Sequence, residues 1–167
     1  GSTGEIQFNT GGVLGASANF TWNGNTLELV ADSGQSNVFL GNNAGLTITT
    51  GEQNTFLGDN AGKGDDLSPT YITGSDNVFL GYAVGSLIED GNYNVMVGSG
   101  SGINLNSGNN NVFIGASSGA NTENNNNVYI GSFSGYSNSS GSGNVFIGDS
   151  SGYNETGSNK LYIDNSD

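Results

Sequence analysis

The chain has 167 residues, 30 of them glycine, and carries a formal net charge of −13 from 15 acidic residues against two lysines, with no arginine or histidine. Neutralising nucleic-acid phosphates or an anionic membrane surface takes clustered Lys or Arg, so both kinds of partner are excluded. With no cysteine there is no disulfide framework and no thiolate chemistry, and no apolar run approaches the roughly 20 residues that cross a bilayer as a helix.

Such a Gly-, Asn- and Ser-rich composition often belongs to disordered linkers. Here the apolar residues stand in tight clusters at fixed intervals, which disorder does not require.

Residues 1–33 form a first unit. Glu5-Ile6-Gln7-Phe8 alternates polar and apolar, and so do Phe20-Thr21-Trp22 and Thr26-Leu27-Glu28-Leu29-Val30. Between the last two runs lies Asn23-Gly24-Asn25. Asn and Gly both tolerate positive φ, so this is a strong hairpin signal. A small β-structured neck is expected, with too few apolar residues for a stable core of its own.

Residues 34–167 repeat one unit, clearest in Asn144-Val145-Phe146-Ile147-Gly148-Asp149-Ser150-Ser151-Gly152. Its leading asparagine recurs as Asn37, Asn54, Asn77, Asn94, Asn111, Asn127 and Asn144, with a degenerate eighth copy at Asn159. Taking that asparagine as position 0, position 1 is mostly valine. Position 2 is the column Phe39, Phe56, Phe79, Met96, Phe113, Tyr129, Phe146 and Tyr162, and position 3 is Leu, Ile or Val. Runs this short of β-branched and aromatic residues favour strand over helix.

Glycine follows at positions 4 and 8 and precedes the asparagine by three residues, with Asn124 the one substitute in that last set. Asn is the commonest non-glycine visitor to left-handed backbone, so φ > 0 is expected at that corner. Three corners per unit describe one coil of a β-solenoid. The fold expected is all-β, a parallel β-solenoid (β-roll) of about eight coils, about 38 Å long at strand spacing. A second, weaker strand is expected in each coil, as in Leu46-Thr47-Ile48 and Ile103-Asn104-Leu105. Asparagines stacked at strand spacing can bond amide to amide, so the asparagine column reads as structural.

One step is longer than the rest. The insertion at 63–72 carries Asp65-Asp66 and the only proline, Pro69. Solenoid insertions emerge as loops, which often bind; Lys63, Asp65, Asp66 and Tyr71 are the candidate receptor-facing residues, against the plain alternative of a tolerated surface loop.

Positions 1 and 3 of a strand face one way and position 2 the other, and both sides are apolar here. A 17-residue coil is expected to be too thin to leave one side uncovered. The aromatic column therefore reads as a structural assembly column, and the expected partner is the chain itself.

The repeat Asn-Val-Phe-Ile-Gly-x-x-Ser-Gly is similar to the head repeats of trimeric autotransporter adhesins. Gly4-Glu5-Ile6-Gln7-Phe8-Asn9, Gly15-Ala16-Ser17-Ala18-Asn19-Phe20 and the closing stretch 153–164 resemble segments of bacteriophage tail-fibre proteins. The resemblance implies a left-handed roll, a homotrimer about one axis, and an extracellular place on a virion tail fibre or a bacterial cell surface. The function it implies is structural and adhesive: attachment to a cell-surface glycan or protein receptor, with Tyr82, Tyr93, Tyr136 and Tyr153 as stacking surfaces for sugars. The alternatives are a shaft with no ligand of its own, a polysaccharide-cleaving spike and an ice-binding solenoid.

No enzyme is expected. Without His, Cys or Arg, acid–base work falls to carboxylates, and the pairs Asp65-Asp66 and Glu89-Asp90 are sequence neighbours that rarely flank a substrate. No cofactor is expected either. The Asp65-Asp66 oxygens suit Ca²⁺, but the Gly-Gly-x-Gly-x-Asp calcium signature is absent.

Overall fold

In the computed structural model, residues 36–64 and 71–164 are described in full, together with the backbone of three N-terminal strands. Those strands, β1 (Glu5–Thr10), β2 (Val13–Trp22) and β3 (Leu27–Leu29), form an antiparallel sheet in that order. Phe20, Thr21 and Trp22 pair with Leu29, Glu28 and Leu27, the alternating runs that flank Asn23-Gly24. The turn itself, at 23–26, lies outside the described residues.

The repeat forms a single parallel sheet of eight three-residue strands in sequence order: β4 (Val38–Leu40), β5 (Thr55–Leu57), β6 (Val78–Leu80), β7 (Val95–Val97), β8 (Val112–Ile114), β9 (Val128–Ile130), β10 (Val145–Ile147) and β11 (Leu161–Ile163). Each pair is in register by repeat position, as with Val112–Val128, Phe113–Tyr129 and Ile114–Ile130. The strands bound about seven coils of a parallel β-solenoid, one fewer than the repeat count suggests.

The last strand keeps Tyr162 in the position 2 column and corrects only the leading residue of the final copy. Leu161 pairs with Val145, so Lys160, not Asn159, stands at position 0, and Asn159 takes the left-handed residue before it (φ 59°).

Position 2 points into the coil. Phe56, Phe79, Met96, Phe113, Tyr129 and Phe146 are fully buried. Their rings stack at strand spacing, with centroids 4.6 Å apart for Phe56–Phe79, 5.0 Å for Phe113–Tyr129 and 4.8 Å for Tyr129–Phe146. The aromatic column is therefore the core of each coil and is closed to a second chain. A coil of this length does enclose a ring, contrary to the expectation that it is too thin. It manages this because position 8 is glycine: at Gly152 (φ +64°) a Cβ would stand 2.5 Å from Phe146 Cδ2.

Opposite the rings runs a second buried column of Ile72, Ile88, Leu105, Thr122 and Asn138, with Ile48 packed at its N-terminal end. Its residues follow turns, with the N–H groups of Ile88, Leu105, Thr122 and Asn138 bonded three residues back, and do not form the second strand expected; Ile48–Ile72 is an isolated bridge among the described residues.

Among the described residues, the glycines three before the asparagine (Gly51, Gly74, Gly91, Gly108 and Gly141) do not have positive φ, and neither does Asn124. Left-handed backbone falls instead one residue before the asparagine, at Gln53, Asp76, Tyr93, Asn110 and Asn126. The glycines at position −3 provide clearance: a Cβ on Gly91 would stand 2.6 Å from Gly108 O of the next coil.

Towards the C-terminus the core turns polar. The Tyr129 hydroxyl, Thr122 Oγ1 and Asn138 Nδ2 are buried without a hydrogen-bond partner. Burial pushes the Tyr129 phenol up to about 12, against smaller lowering effects of the neighbouring Asn144 and Thr122 side chains. A phenol whose folded pKa is raised contributes stability that is complete below its unfolded pKa near 10. That contribution is lost as pH rises towards the folded value, by about 2–3 kcal/mol for this shift. Chemical denaturation at pH 8 and pH 11.5 is expected to show this alkaline loss in the natural chain, and Tyr129→Phe is expected to remove that component.

Candidate functional site

The asparagine column is a hydrogen-bonded spine. The backbone N–H groups of Asn54, Asn77, Asn94, Asn111, Asn127 and Asn144 each donate to the Oδ1 of the asparagine one coil earlier, at 2.8–3.0 Å. Lys160 N–H donates to Asn144 Oδ1 at 2.8 Å and ends the series. Each Nδ2 donates forward to a carbonyl of the next coil: Asn37 to Gly51 at 2.8 Å, Asn77 to Gly91 at 2.8 Å and Asn94 to Gly108 at 2.8 Å. Amide-to-amide contacts add to this at 3.1 Å for Asn77–Asn54, Asn94–Asn77 and Asn111–Asn94. From Asn54 to Asn144 these side chains are fully buried. The spine holds coils together and offers a ligand nothing.

A second spine runs two residues before the asparagine, with the opposite polarity. The N–H groups of Ser75, Asn92 and Asn109 donate to the side-chain oxygens of Asn92, Asn109 and Asn125 of the following coil at 2.7–2.9 Å. The sequence signal was present, a polar side chain at position −2, but it is hidden among many other Asn and Ser. A third set is internal: Ser118 Oγ donates to Tyr129 O at 3.1 Å and Ser134 Oγ to Phe146 O at 3.2 Å, which ties position 7 to the next coil's aromatic residue.

Two surfaces remain after these bonds are made. The first is the outer side of the parallel sheet. Positions 1 and 3 point away from the core, and Leu40, Val78, Leu80, Val95, Ile114, Leu161 and Ile163 are all exposed. Together they form a continuous apolar ladder one strand wide. The second lies at the corner after β9 and β10, where Phe133, Tyr136 and Tyr153 gather. Tyr136 and Tyr153 stack at 5.0 Å and 11°, and Phe133 lies tilted against both at 5.8 and 6.4 Å.

Of the tyrosines expected to meet sugars, Tyr136 and Tyr153 come together. Tyr82 and Tyr93 are exposed on other corners, and neither has a ring partner among the described residues. Phe133 was not singled out, although it is the one aromatic at position 6 of the repeat.

The insertion has a closed base. Lys63 O accepts the Thr47 N–H at 3.2 Å, and Ile72 N–H donates to Thr47 O at 3.1 Å, so the chain leaves and returns beside one residue. Asp65 and Asp66 lie outside the described residues; Lys63 is half-buried at the base, and Tyr71 is exposed. Among the described residues no group of three His, Cys, Asp or Glu is placed to hold a metal ion, and no helix is long and apolar enough to cross a membrane.

At the last coil, Glu155 accepts the Tyr162 hydroxyl at 2.6 Å and the Gly157 N–H at 2.7 Å. These two bonds hold its carboxyl below the usual range.

Comparison with protein-family models, curated proteins and solved structures returns no match.

Asn94→Asp tests the spine. An aspartate cannot donate to Gly108 O, and its charge would be buried among carbonyls. The expected cost is about 3 kcal/mol or more at pH 7 in urea denaturation. It should shrink as pH falls and the carboxyl protonates, leaving a smaller loss at pH 4 than at pH 7.

Proposed function

We propose that the chain is an assembly module of an extracellular fibre, in which identical chains cover one another's apolar ladder and the composite rod serves attachment to a surface. The observation that carries this is the outward ladder. The core of each coil is already filled by the aromatic column, yet a second apolar stripe continues along all eight strands. A soluble monomer rarely exposes a contiguous stripe of that length. Covering its half-exposed Val, Leu and Ile side chains contributes roughly 5–10 kcal/mol per chain at the usual value of apolar burial.

Three chains about an axis parallel to the rod suit a face only one strand wide, because each ladder then lies between two neighbours. A closed ring also avoids the open-ended growth that a head-to-tail contact invites. The resemblance to trimeric adhesin heads and tail-fibre segments points the same way and supplies the left-handed coil and the extracellular setting of this reading. The role is non-enzymatic. A bare spacer would need the spines and the ladder but not the exposed aromatic corner, so the corner favours attachment.

Light scattering on the intact chain is expected to give three times the 16.9 kDa chain mass. Ile114→Asp combined with Ile130→Asp places carboxylates at the centre of the ladder and is expected to shift the species to one chain mass while the circular dichroism of the coil persists. A natural chain that stays monomeric at high concentration would sink the reading.

A further inference from the structure

We propose that the corner formed by Phe133, Tyr136 and Tyr153 is a binding platform for a neutral pyranose, the sugar ring lying on the aromatic faces. This deepens the attachment reading and rests on it for biological context, but its geometry stands apart from the ladder.

The first observation is backbone strain without burial. Phe133 adopts φ 54°, a left-handed conformation that is a real outlier for a bulky side chain. The same position in other coils holds Asn43, Asn60, Ala83, Gly100, Ser117 and Ser150, all at positive φ. Small or amide side chains suit that corner; phenylalanine does not, and its ring is 41% exposed. Burial covers only part of this side chain and so offsets the strain incompletely, and strained residues of this kind cluster at functional sites.

The second observation is the arrangement of rings. Tyr136 replaces Ala120 of the preceding coil at position 9, and Tyr153 repeats it one coil on, with Ser137 N–H donating to Tyr153 O at 3.0 Å to keep the two in register. The tyrosine rings stack within 11° of parallel and cover each other's inner faces, so the faces left for a sugar are the outer ones and that of Phe133, which tilts against them at 57° and 46°.

The third is chemistry. Axial C–H bonds of a pyranose carry slight positive charge and meet the negative face of an aromatic ring. Its hydroxyls need polar partners at the rim, and a few convergent polar groups fix orientation in such sites. Beside the tyrosines, Asn121 N–H donates to Tyr136 O at 3.1 Å. The Asn121 Oδ1 accepts from Asn104 Nδ2 at 2.7 Å, and an amide engaged through its oxygen keeps its N–H donors for another partner. A chain of net charge −13 without arginine or histidine repels sulfated or carboxylated sugars, so the sugar is neutral.

The repeat supplies its own controls. Phe133→Ser copies Ser117 and Ser150, and Tyr136→Ala copies Ala120, so both variants place residues that neighbouring coils already accommodate. The probes are methyl β-D-glucopyranoside, methyl β-D-galactopyranoside and methyl α-D-mannopyranoside, titrated into the intact chain and followed by saturation-transfer NMR and by the shifts of its aromatic protons. At least one is expected to bind at millimolar concentration, to shift the ring protons of Phe133, Tyr136 and Tyr153, and to lose tenfold or more in affinity in each variant. Phe133→Ser is expected to melt at the same or a higher temperature and to keep the mass of the natural chain.

Failure of all three glycosides to bind overturns the proposal, as does equal binding by the variants. A change of mass in Phe133→Ser would make the corner a chain-to-chain contact and overturn it as well. A monomeric natural chain that binds sugar would leave the platform standing and the assembly reading fallen. An assembled chain that binds none would do the reverse.

Discussion

The solenoid depends on one constraint: every coil must satisfy its backbone polar groups on the coils above and below it, in register, at the spacing of paired strands. A three-residue strand has too few ladder bonds to hold register by itself. The buried asparagine supplies the rest, with Oδ1 accepting one coil's N–H and Nδ2 donating to a carbonyl of the next. A one-residue slip would break this bond and turn the aromatic column out to solvent, since side chains alternate with a period of two. The spine at position −2 runs with reversed polarity, so donors and acceptors are matched in both directions along the rod.

With register held, identical positions stack, and each column acquires one property along the whole length. The inner column becomes a stack of rings interrupted by Met96, a flexible side chain that fills the gap between Phe79 and Phe113. The facing column changes from isoleucine and leucine to Thr122 and Asn138. There the Tyr129 hydroxyl is buried among polar neighbours without a bond of good geometry. The outer column becomes the apolar ladder. Sites that break the column rule then stand out, and Phe133 is the plainest of them.

Much of this was legible because a repeat reports its own structure. Period, strand positions, glycine corners and the asparagine column follow from aligning the copies. The errors arose where sequence is silent about volume and direction. Alternation shows that Phe146 and its neighbours Val145 and Ile147 face opposite ways, but not which way is inward. The glycines at position −3 looked like conformational devices because Asn124 replaces one of them. They are clearance devices, and left-handed backbone instead falls on residues as unlike as Gln53, Asp76 and Tyr93, where composition gives no hint. In the final copy the strand residues were placed in their right columns and only the leading residue was not, because Lys160 gives the spine only its backbone N–H, which any residue but proline provides.

The candidate surfaces divide in the same way. The apolar ladder was present in the sequence as one of two apolar faces, and only the packing of rings inside the coil left positions 1 and 3 as the outer one. Tyr136 and Tyr153 were visible as tyrosines, but nothing in their numbering places Phe133 against them; the turn after β9 does that. By itself the sequence determined the repeat, its strand and the stacking of like on like, because these follow from local pattern and the fixed strand spacing. Only the tertiary structure decided which face is core and which residues meet at a corner, because that depends on how much volume one coil can enclose.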